Sequence, residues 1–201
     1  MKLSVAVSIL SFLTGINALP SSQQPPRFNI KATSEGPVQG FVLATSSSFF
    51  WLGEGEVGKY DGLTETVCPE DVQKKGDCPP GVDTVLKNAN TLDSVKPDQH
   101  IFVDANFAVR ATGPNNVTDA ESLADGFKYV AGANGKGEWT YQALGGDGFL
   151  ACPYNNNIYQ VYINSPDAKP SRGKLGDCVP FFADAYEYQL PADATASAWE
   201  Y

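Results

Sequence analysis

The chain is poor in the side chain that most often carries enzymatic chemistry, because its 201 residues include only one histidine, His100. One imidazole cannot supply the two histidines of a non-haem iron site. A Ser-His-Asp or Cys-His site would have to use His100, and the sequence has no Gly-x-Ser-x-Gly elbow. His100 heads a run of strand-forming residues, which favours a structural role. We therefore expect no active site built on a histidine.

Basic charge is also scarce, since 14 Lys and Arg stand against 23 Asp and Glu, for a formal net charge of −9. No basic patch is available to neutralise phosphates, so we expect no nucleic-acid partner. After the first twenty residues no apolar run is long enough to cross a bilayer. The final residues are small and polar without an apolar tail, so we expect no membrane anchor.

The first eighteen residues have the pattern of a secretory signal peptide. Lys2 provides the basic start, an apolar run extends from Leu3 to Leu13, and Ala18 is a small residue at the predicted cut. We predict that residues 1–18 are removed and that the protein is secreted. Residues 19–27 are polar and rich in proline, which predicts a disordered lead-in.

Four cysteines remain after the signal peptide, at Cys68, Cys78, Cys152 and Cys178. In an oxidising compartment an even number predicts two disulfides, for which three pairings exist. We favour Cys68 with Cys78 and Cys152 with Cys178, because each pair lies within one local segment. In the chain-entropy model these crosslinks contribute roughly 2.8 and 3.5 kcal/mol. A zinc site is the weaker reading, because no Cys-x-x-Cys pair occurs.

Between residues 28 and 191 the sequence consists of short runs of β-branched and aromatic residues separated by Gly, Pro, Ser and Asn. No stretch keeps a 3.6-residue period over three turns. We therefore predict one all-β domain, an antiparallel β-sandwich or barrel stapled by the two disulfides. Residues 192–201 lack an apolar run and are predicted to form a flexible C-terminal tail.

Carboxylates are numerous enough that a glycosidase pair is the main catalytic alternative. Several of the 23 acidic residues adjoin glycines, among them Asp61, Asp77, Asp147 and Asp177, where an aspartate usually closes a turn. No Asp-x-Asp-x-Asp-Gly calcium pattern occurs. We therefore predict no catalytic residues, no metal and no cofactor.

Three aromatic residues are the candidate carbohydrate contacts: Trp51, Trp139 and Tyr162. An exposed ring stacks well on the apolar face of a sugar. Trp51 and Trp139 also lie inside strand runs, and this position favours the core as the alternative. Asn116-Val117-Thr118 is a glycosylation sequon in a polar loop, so Asn116 is the predicted glycan site.

A series of short segments in a fixed order is the most distinctive feature of the sequence. These segments are Phe28-Asn29-Ile30, Gly36-Pro37-Val38-Gln39-Gly40, Phe49-Phe50-Trp51-Leu52-Gly53, Val67-Cys68-Pro69, Gly76-Asp77-Cys78-Pro79-Pro80-Gly81, Ile101-Phe102-Val103-Asp104, Gly137-Glu138-Trp139, Gly148-Phe149-Leu150-Ala151-Cys152-Pro153, Tyr159-Gln160-Val161-Tyr162 and Gly176-Asp177-Cys178-Val179-Pro180-Phe181. Through them the chain resembles the small secreted fungal IgE-binding proteins related to the phialide cell-wall protein PhiA. The likeness extends from about Phe28 to Tyr188, and its most specific part is Gly148 to Pro153.

The resemblance implies a secreted, wall-associated protein of a filamentous fungus, of a kind that includes allergens, and it supplies no catalytic residues. We therefore expect a non-enzymatic protein that contacts wall polysaccharide or wall proteins. The alternatives are a carbohydrate-active hydrolase with a carboxylate pair and a secreted effector that binds a host protein. Facing carboxylates would favour the hydrolase, exposed aromatic rings the polysaccharide binder, and a large apolar patch the protein binder.

Overall fold

The computed structural model describes residues 26–53, 68–76, 78–79, 84–96, 99–113, 125–155 and 157–201. The predicted signal peptide 1–18, most of the predicted lead-in and the sequon residue Asn116 lie outside the described residues. Within the described ranges no helix is both long and apolar enough to cross a membrane.

The described residues form thirteen strands, one short α-helix and one 3₁₀ turn. The strands are β1 (Phe28–Thr33), β2 (Val42–Ser46), β3 (Phe49–Gly53), β4 (Leu86–Asn88), β5 (Thr91–Leu92), β6 (Ile101–Val103), β7 (Val109–Ala111), β8 (Phe127–Ala131), β9 (Lys136–Ala143), β10 (Gly146–Asp147), β11 (Phe149–Asn155), β12 (Ile158–Ile163) and β13 (Val179–Glu187). The α-helix is α1 (Glu70–Gln73), and the 3₁₀ turn is Leu175–Asp177.

Six of the strands close into an antiparallel barrel. Around the ring the order is β1, β13, β11, β12, β3 and β2, and β2 pairs with β1 again. The closure between β1 and β13 runs over six residue pairs, from Phe28 opposite Glu187 to Thr33 opposite Phe182. The all-β prediction is therefore confirmed, and of the two predicted architectures the structure is the barrel.

The other strands extend this ring. On one side β4 and β5 continue from β1, and the β6–β7 hairpin joins β3 where Phe49 lies opposite Arg110. On the other side β9 pairs with β13 and carries β8 and β10. The tight turn between β8 and β9 places Asn134 and Gly135 at positive φ, 58° and 72°, which is the conformation that an Asn-Gly hairpin turn requires.

Side-chain alternation directs one face of each barrel strand into a single core. In β13 the buried Phe181, Ala183 and Ala185 alternate with outward residues, and in β9 Trp139 and Tyr141 are buried. The Trp139 ring lies 4.6 Å from that of Phe149, centroid to centroid. Aromatic stacking therefore joins β9 to β11 across the intervening strand β13.

Both predicted disulfides are confirmed. Cys68 is bonded to Cys78 across α1, with 6.0 Å between the Cα atoms. Cys152 on β11 is bonded to Cys178, the residue that precedes β13, with 4.1 Å between the Cα atoms. The second crosslink therefore holds the start of β13 against the strand with which it pairs.

Residues 196–201, which fall within the predicted flexible tail 192–201, are packed against the domain. Ser197 is buried, and its backbone N–H donates to Asp93 Oδ2 over 2.9 Å. The side chain of Gln99 donates to the Tyr201 carbonyl oxygen and accepts from its N–H. The predicted lead-in 19–27 also ends earlier than expected, because Arg27 Nε donates to Asp93 Oδ1. Hydrogen bonds to buried polar side chains hold both segments in place. A hydropathy scale does not detect such bonds.

Alkaline pH is expected to weaken this packing through Tyr201. Burial raises the pKa of Tyr201 above its ordinary value of 10.0, and the hydroxyl accepts from the Val85 N–H and pairs with Ser197 Oγ. Because the folded state favours the neutral phenol, this stabilisation is fully present below pH 10 and is lost as pH rises above it. At neutral pH Tyr201→Phe should lower the free energy of unfolding by about 1–2 kcal/mol.

The measurement is urea unfolding of wild type and Tyr201→Phe between pH 7 and pH 11. The difference between the two free energies of unfolding should shrink above pH 10. A difference that stays constant, or grows, over that interval would contradict the burial of the phenol.

Candidate functional site

The three predicted carbohydrate contacts are buried. Trp51 is 5% exposed, Trp139 0% and Tyr162 1%. The Trp51 indole N–H donates to the Ser46 carbonyl, and the Tyr162 hydroxyl donates to Gln160 Oε1. No ring face of these residues is available for stacking on a sugar, so the carbohydrate-contact hypothesis does not hold for them. They are part of the interior, which is the alternative weighed from their strand positions.

His100 also has a structural position. It forms a β-bridge with Thr91, and its backbone N–H donates to the Thr112 hydroxyl. Its Nδ1 lies 3.5 Å from the Oγ1 atom of Thr91, the residue with which it forms the bridge. Among those residues no group of three or more His, Cys, Asp or Glu side chains could hold a metal ion.

A depression of about 510 Å³ lies between the first disulfide and residues 191–195. Its described lining includes Gly76, Cys78, Pro79, Pro191 and Asp193, with one carboxylate and no aromatic ring among them. Residues 77 and 80–83 adjoin it in sequence and lie outside the described residues. We assign no function to it.

The candidate site is instead an open sheet surface formed by β1, β13, β9 and β8, in that spatial order. We call it the outer sheet face. Alternation along each strand directs one set of side chains outward from the barrel. This set consists of Asn29, Lys31 and Thr33 on β1, Phe182, Asp184 and Tyr186 on β13, Lys136, Glu138, Thr140 and Gln142 on β9, and Lys128 and Val130 on β8.

Phe182 is the uncovered aromatic ring of this face. It is 68% exposed, more than any other large apolar side chain among the described residues. Thr33 lies directly opposite it on β1, and the register that pairs Ala183 with Trp139 places Thr140 beside it on β9. A hydrophobic ring on the second of the four strands is thus flanked on both sides by hydroxyl groups.

The sequence contains a signal for this residue. Phe181 and Phe182 are adjacent in a strand, and adjacent residues of a strand point to opposite faces. One of the two rings therefore has to face outward wherever the strand has only one face toward the core. Sequence reasoning directed attention to tryptophans and missed the phenylalanine pair.

Three charged groups of the outer sheet face, Lys31, Lys136 and Asp184, are engaged with one another or with the Tyr186 ring, and Glu138 is exposed. Lys136 Nζ lies 3.8 Å from Asp184 Oδ2 and 4.9 Å from the centroid of the Tyr186 ring. The hydrogen bond to Tyr186, together with the nearby Asp184 carboxylate, raises the pKa of Lys136 above its ordinary value of 10.5. Thr33 Oγ1 donates to the same Asp184 oxygen over 3.0 Å, and Lys31 Nζ lies 5.5 Å from the Tyr186 centroid. Tyr186 is covered by lysines, whereas Phe182 is open.

Comparison with known proteins places the chain in a family. A family model described as PhiA-like secreted protein matches residues 9–201, nearly the whole sequence. No curated protein and no solved structure matches the chain. The matched range includes every strand of the barrel and all four cysteines. The chain belongs to the PhiA-like secreted protein family.

Proposed function

We propose that this secreted protein is a non-enzymatic component of the fungal cell wall that binds wall polysaccharide on its outer sheet face. The exposure of Phe182 carries the proposal, because a ligand that covers this apolar ring removes its surface from water, which favours binding. Membership of a secreted family supports the extracellular location. The fungal wall is the environment that the sequence resemblance implies.

The chemistry around Phe182 suits a sugar chain. A pyranose ring presents an apolar C–H face that can stack on phenyl, and hydroxyl groups around its rim. Thr140 and Thr33 lie beside Phe182 on the neighbouring strands. The Thr140 hydroxyl can donate and accept hydrogen bonds, and the Thr33 hydroxyl, which already donates to Asp184, can accept them. Strands on both sides fix the position of the ring, so binding requires little ordering of the protein.

A hydrolase is the second candidate, because Glu138 lies directly opposite Asp184 on the same face. A glycosidase pair has to flank the glycosidic bond, with one group acting from each side of the sugar. Here both carboxylates project from one open sheet surface, so they lie on the same side of anything bound there. Asp184 is also engaged by Lys136 and Thr33. The geometry favours binding over hydrolysis.

The test is Phe182→Ala in a pull-down on insoluble β-glucan, chitin and mannan. We expect wild type to be retained on at least one polymer, and Phe182→Ala to be retained at least tenfold less, because the stacking surface is removed. The melting temperature should change little, since the ring is exposed and supports no core contact. Val95→Ala, an exposed apolar residue (38% exposed) outside the outer sheet face, is the matched control.

Three outcomes would contradict the proposal. Equal retention of wild type and Phe182→Ala would mean that the outer sheet face is not the binding surface. Reducing sugar released into the supernatant, and lost in Glu138→Gln, would establish the hydrolase. If no polymer retains the wild-type protein, Phe182 would be a contact for a protein partner and not for polysaccharide.

A further inference from the structure

We infer that the ligand of the outer sheet face is an uncharged polysaccharide, one without amino, carboxylate or phosphate groups. This inference rests on the proposed function and specifies the chemical class of the ligand. It follows from the way in which the charges of the face are arranged around Phe182.

The carboxylate nearest to Phe182 along β13 is already neutralised. Asp184 accepts a hydrogen bond from Thr33, lies 3.8 Å from Lys136 Nζ, and has Lys31 directly opposite on β1. A cationic sugar such as a glucosamine unit would have to displace these groups to reach Asp184. The exchange would replace one ion pair by another on a solvated surface, and such pairs contribute little. The same holds for Glu138, which lies opposite Asp184 and is exposed, so that an ion pair with it would be solvated.

The lysines of the face are engaged as well. Lys136 and Lys31 lie over the Tyr186 ring, and Lys128 Nζ donates to Gln142 Oε1 over 3.2 Å. The face therefore presents three lysines on three different strands around the carboxylates of Asp184 and Glu138, which lie opposite each other. A phosphate or uronate group would find no cluster of cations to bind it.

Arginine, the side chain best suited to bind carboxylate or phosphate through two parallel hydrogen bonds, is absent from the outer sheet face. The three described arginines lie elsewhere. Arg27 pairs with Asp93, the Arg110 guanidinium stacks 4.2 Å from the Phe49 ring, and that of Arg172 stacks 4.3 Å from the Tyr154 ring. What the face offers a ligand is one open phenyl ring and the exposed Val130, with hydroxyl, amide and solvated ionic groups around them. This set suits a neutral hexose polymer.

The test compares insoluble β-glucan, chitosan and phosphorylated cellulose at 50 and 500 mM NaCl, using the full chain and its Phe182→Ala variant. We expect retention on β-glucan to depend on Phe182 and to change less than twofold between the two salt concentrations. If ion pairs hold the protein on a polymer, its retention should fall steeply between 50 and 500 mM NaCl, because 500 mM salt screens exposed ion pairs.

The outcomes separate this inference from the proposed function. Phe182-dependent retention found only on chitosan or phosphorylated cellulose, and lost at 500 mM NaCl, would overturn the uncharged ligand while leaving polysaccharide binding at this face intact. Absence of Phe182-dependent retention on these three polymers, and also on chitin and mannan, would overturn both. Salt-insensitive, Phe182-dependent retention on β-glucan supports both.

Discussion

Trp139→Ala is expected to lower the free energy of unfolding by about 4 kcal/mol, the largest effect of any substitution considered. The indole is fully buried and packs between the rings of Phe127 and Phe149, at centroid distances of 5.1 and 4.6 Å. Its removal leaves a cavity that three aromatic neighbours, including Phe50, cannot fill without leaving their rotamers. The indole N–H also donates to the Ala89 carbonyl over 2.7 Å, and that carbonyl would lose its partner.

The measurement is urea unfolding followed by far-UV circular dichroism. Trp199→Ala is the matched control, because Trp199 is only half-buried and its ring contacts Lys96 at 5.8 Å. We expect the control to lose less than about 1 kcal/mol. A loss below about 2 kcal/mol for Trp139→Ala would contradict its place in the core. Variant protein that is still folded should bind polysaccharide like wild type, since Trp139 lies beneath the outer sheet face and not on it.

Local patterns were sufficient to predict the class of fold. The alternation in Phe181 to Tyr186 and the Asn134-Gly135 turn are features that neighbouring residues determine by themselves, through strand pleat and turn geometry. The disulfide pairing followed from the closeness of the cysteines in sequence, as Cys68 and Cys78 show. Each of these predictions needed only short-range information.

The closure of the barrel required long-range information. β1 pairs with β13 through residues such as Phe28 and Glu187, which are far apart in the chain, and no local pattern specifies that partner. The hypothesis that the tryptophan rings are exposed carbohydrate contacts was wrong for a related reason. Alternation separates Phe50 from Trp51 onto two faces, but both faces of β3 are covered, one by the core and one by neighbouring side chains that include Tyr154. Burial of Trp51 therefore follows from the packing around the barrel and not from its strand.

The segment 193–201 shows a third limit of sequence reasoning. Its small and polar residues have little apolar surface to bury, and hydropathy therefore predicts disorder. Its order comes from specific partners: Ser197 pairs with Asp93, and Tyr201 pairs with Gln99. Such pairing depends on two side chains meeting across the fold, at sequence separations of 104 and 102 residues.

Asp93→Ala is expected to lower the free energy of unfolding by about 3 kcal/mol, the second largest effect. The Asp93 side chain is 3% exposed, and its carboxylate accepts from Arg27 Nε over 3.0 Å and from the Ser197 N–H over 2.9 Å. The Arg27 side chain is 41% exposed and can return to water. The buried Ser197 N–H cannot, so it bears the cost of losing the nearer of its two acceptors and keeps only the Asp93 backbone carbonyl, 3.3 Å away. Both segments that Asp93 orders, the chain at Arg27 and residues 193–201, are then released.

This release distinguishes Asp93 from an ordinary buried residue. Hydrogen exchange in Asp93→Ala should accelerate first over residues 193–201, at urea concentrations where the barrel strands remain protected, because the segment is attached mainly through polar pairs. Asp93→Asn should lose less stability, since an amide oxygen can still accept from Ser197 while the charge that Arg27 recognises is gone. Asp147→Ala, at an exposed carboxylate on β10, is the control and should change neither measurement. If Asp93→Ala unfolds like Asp147→Ala, or if 193–201 exchanges together with the barrel, the segment does not depend on the Asp93 carboxylate for its position.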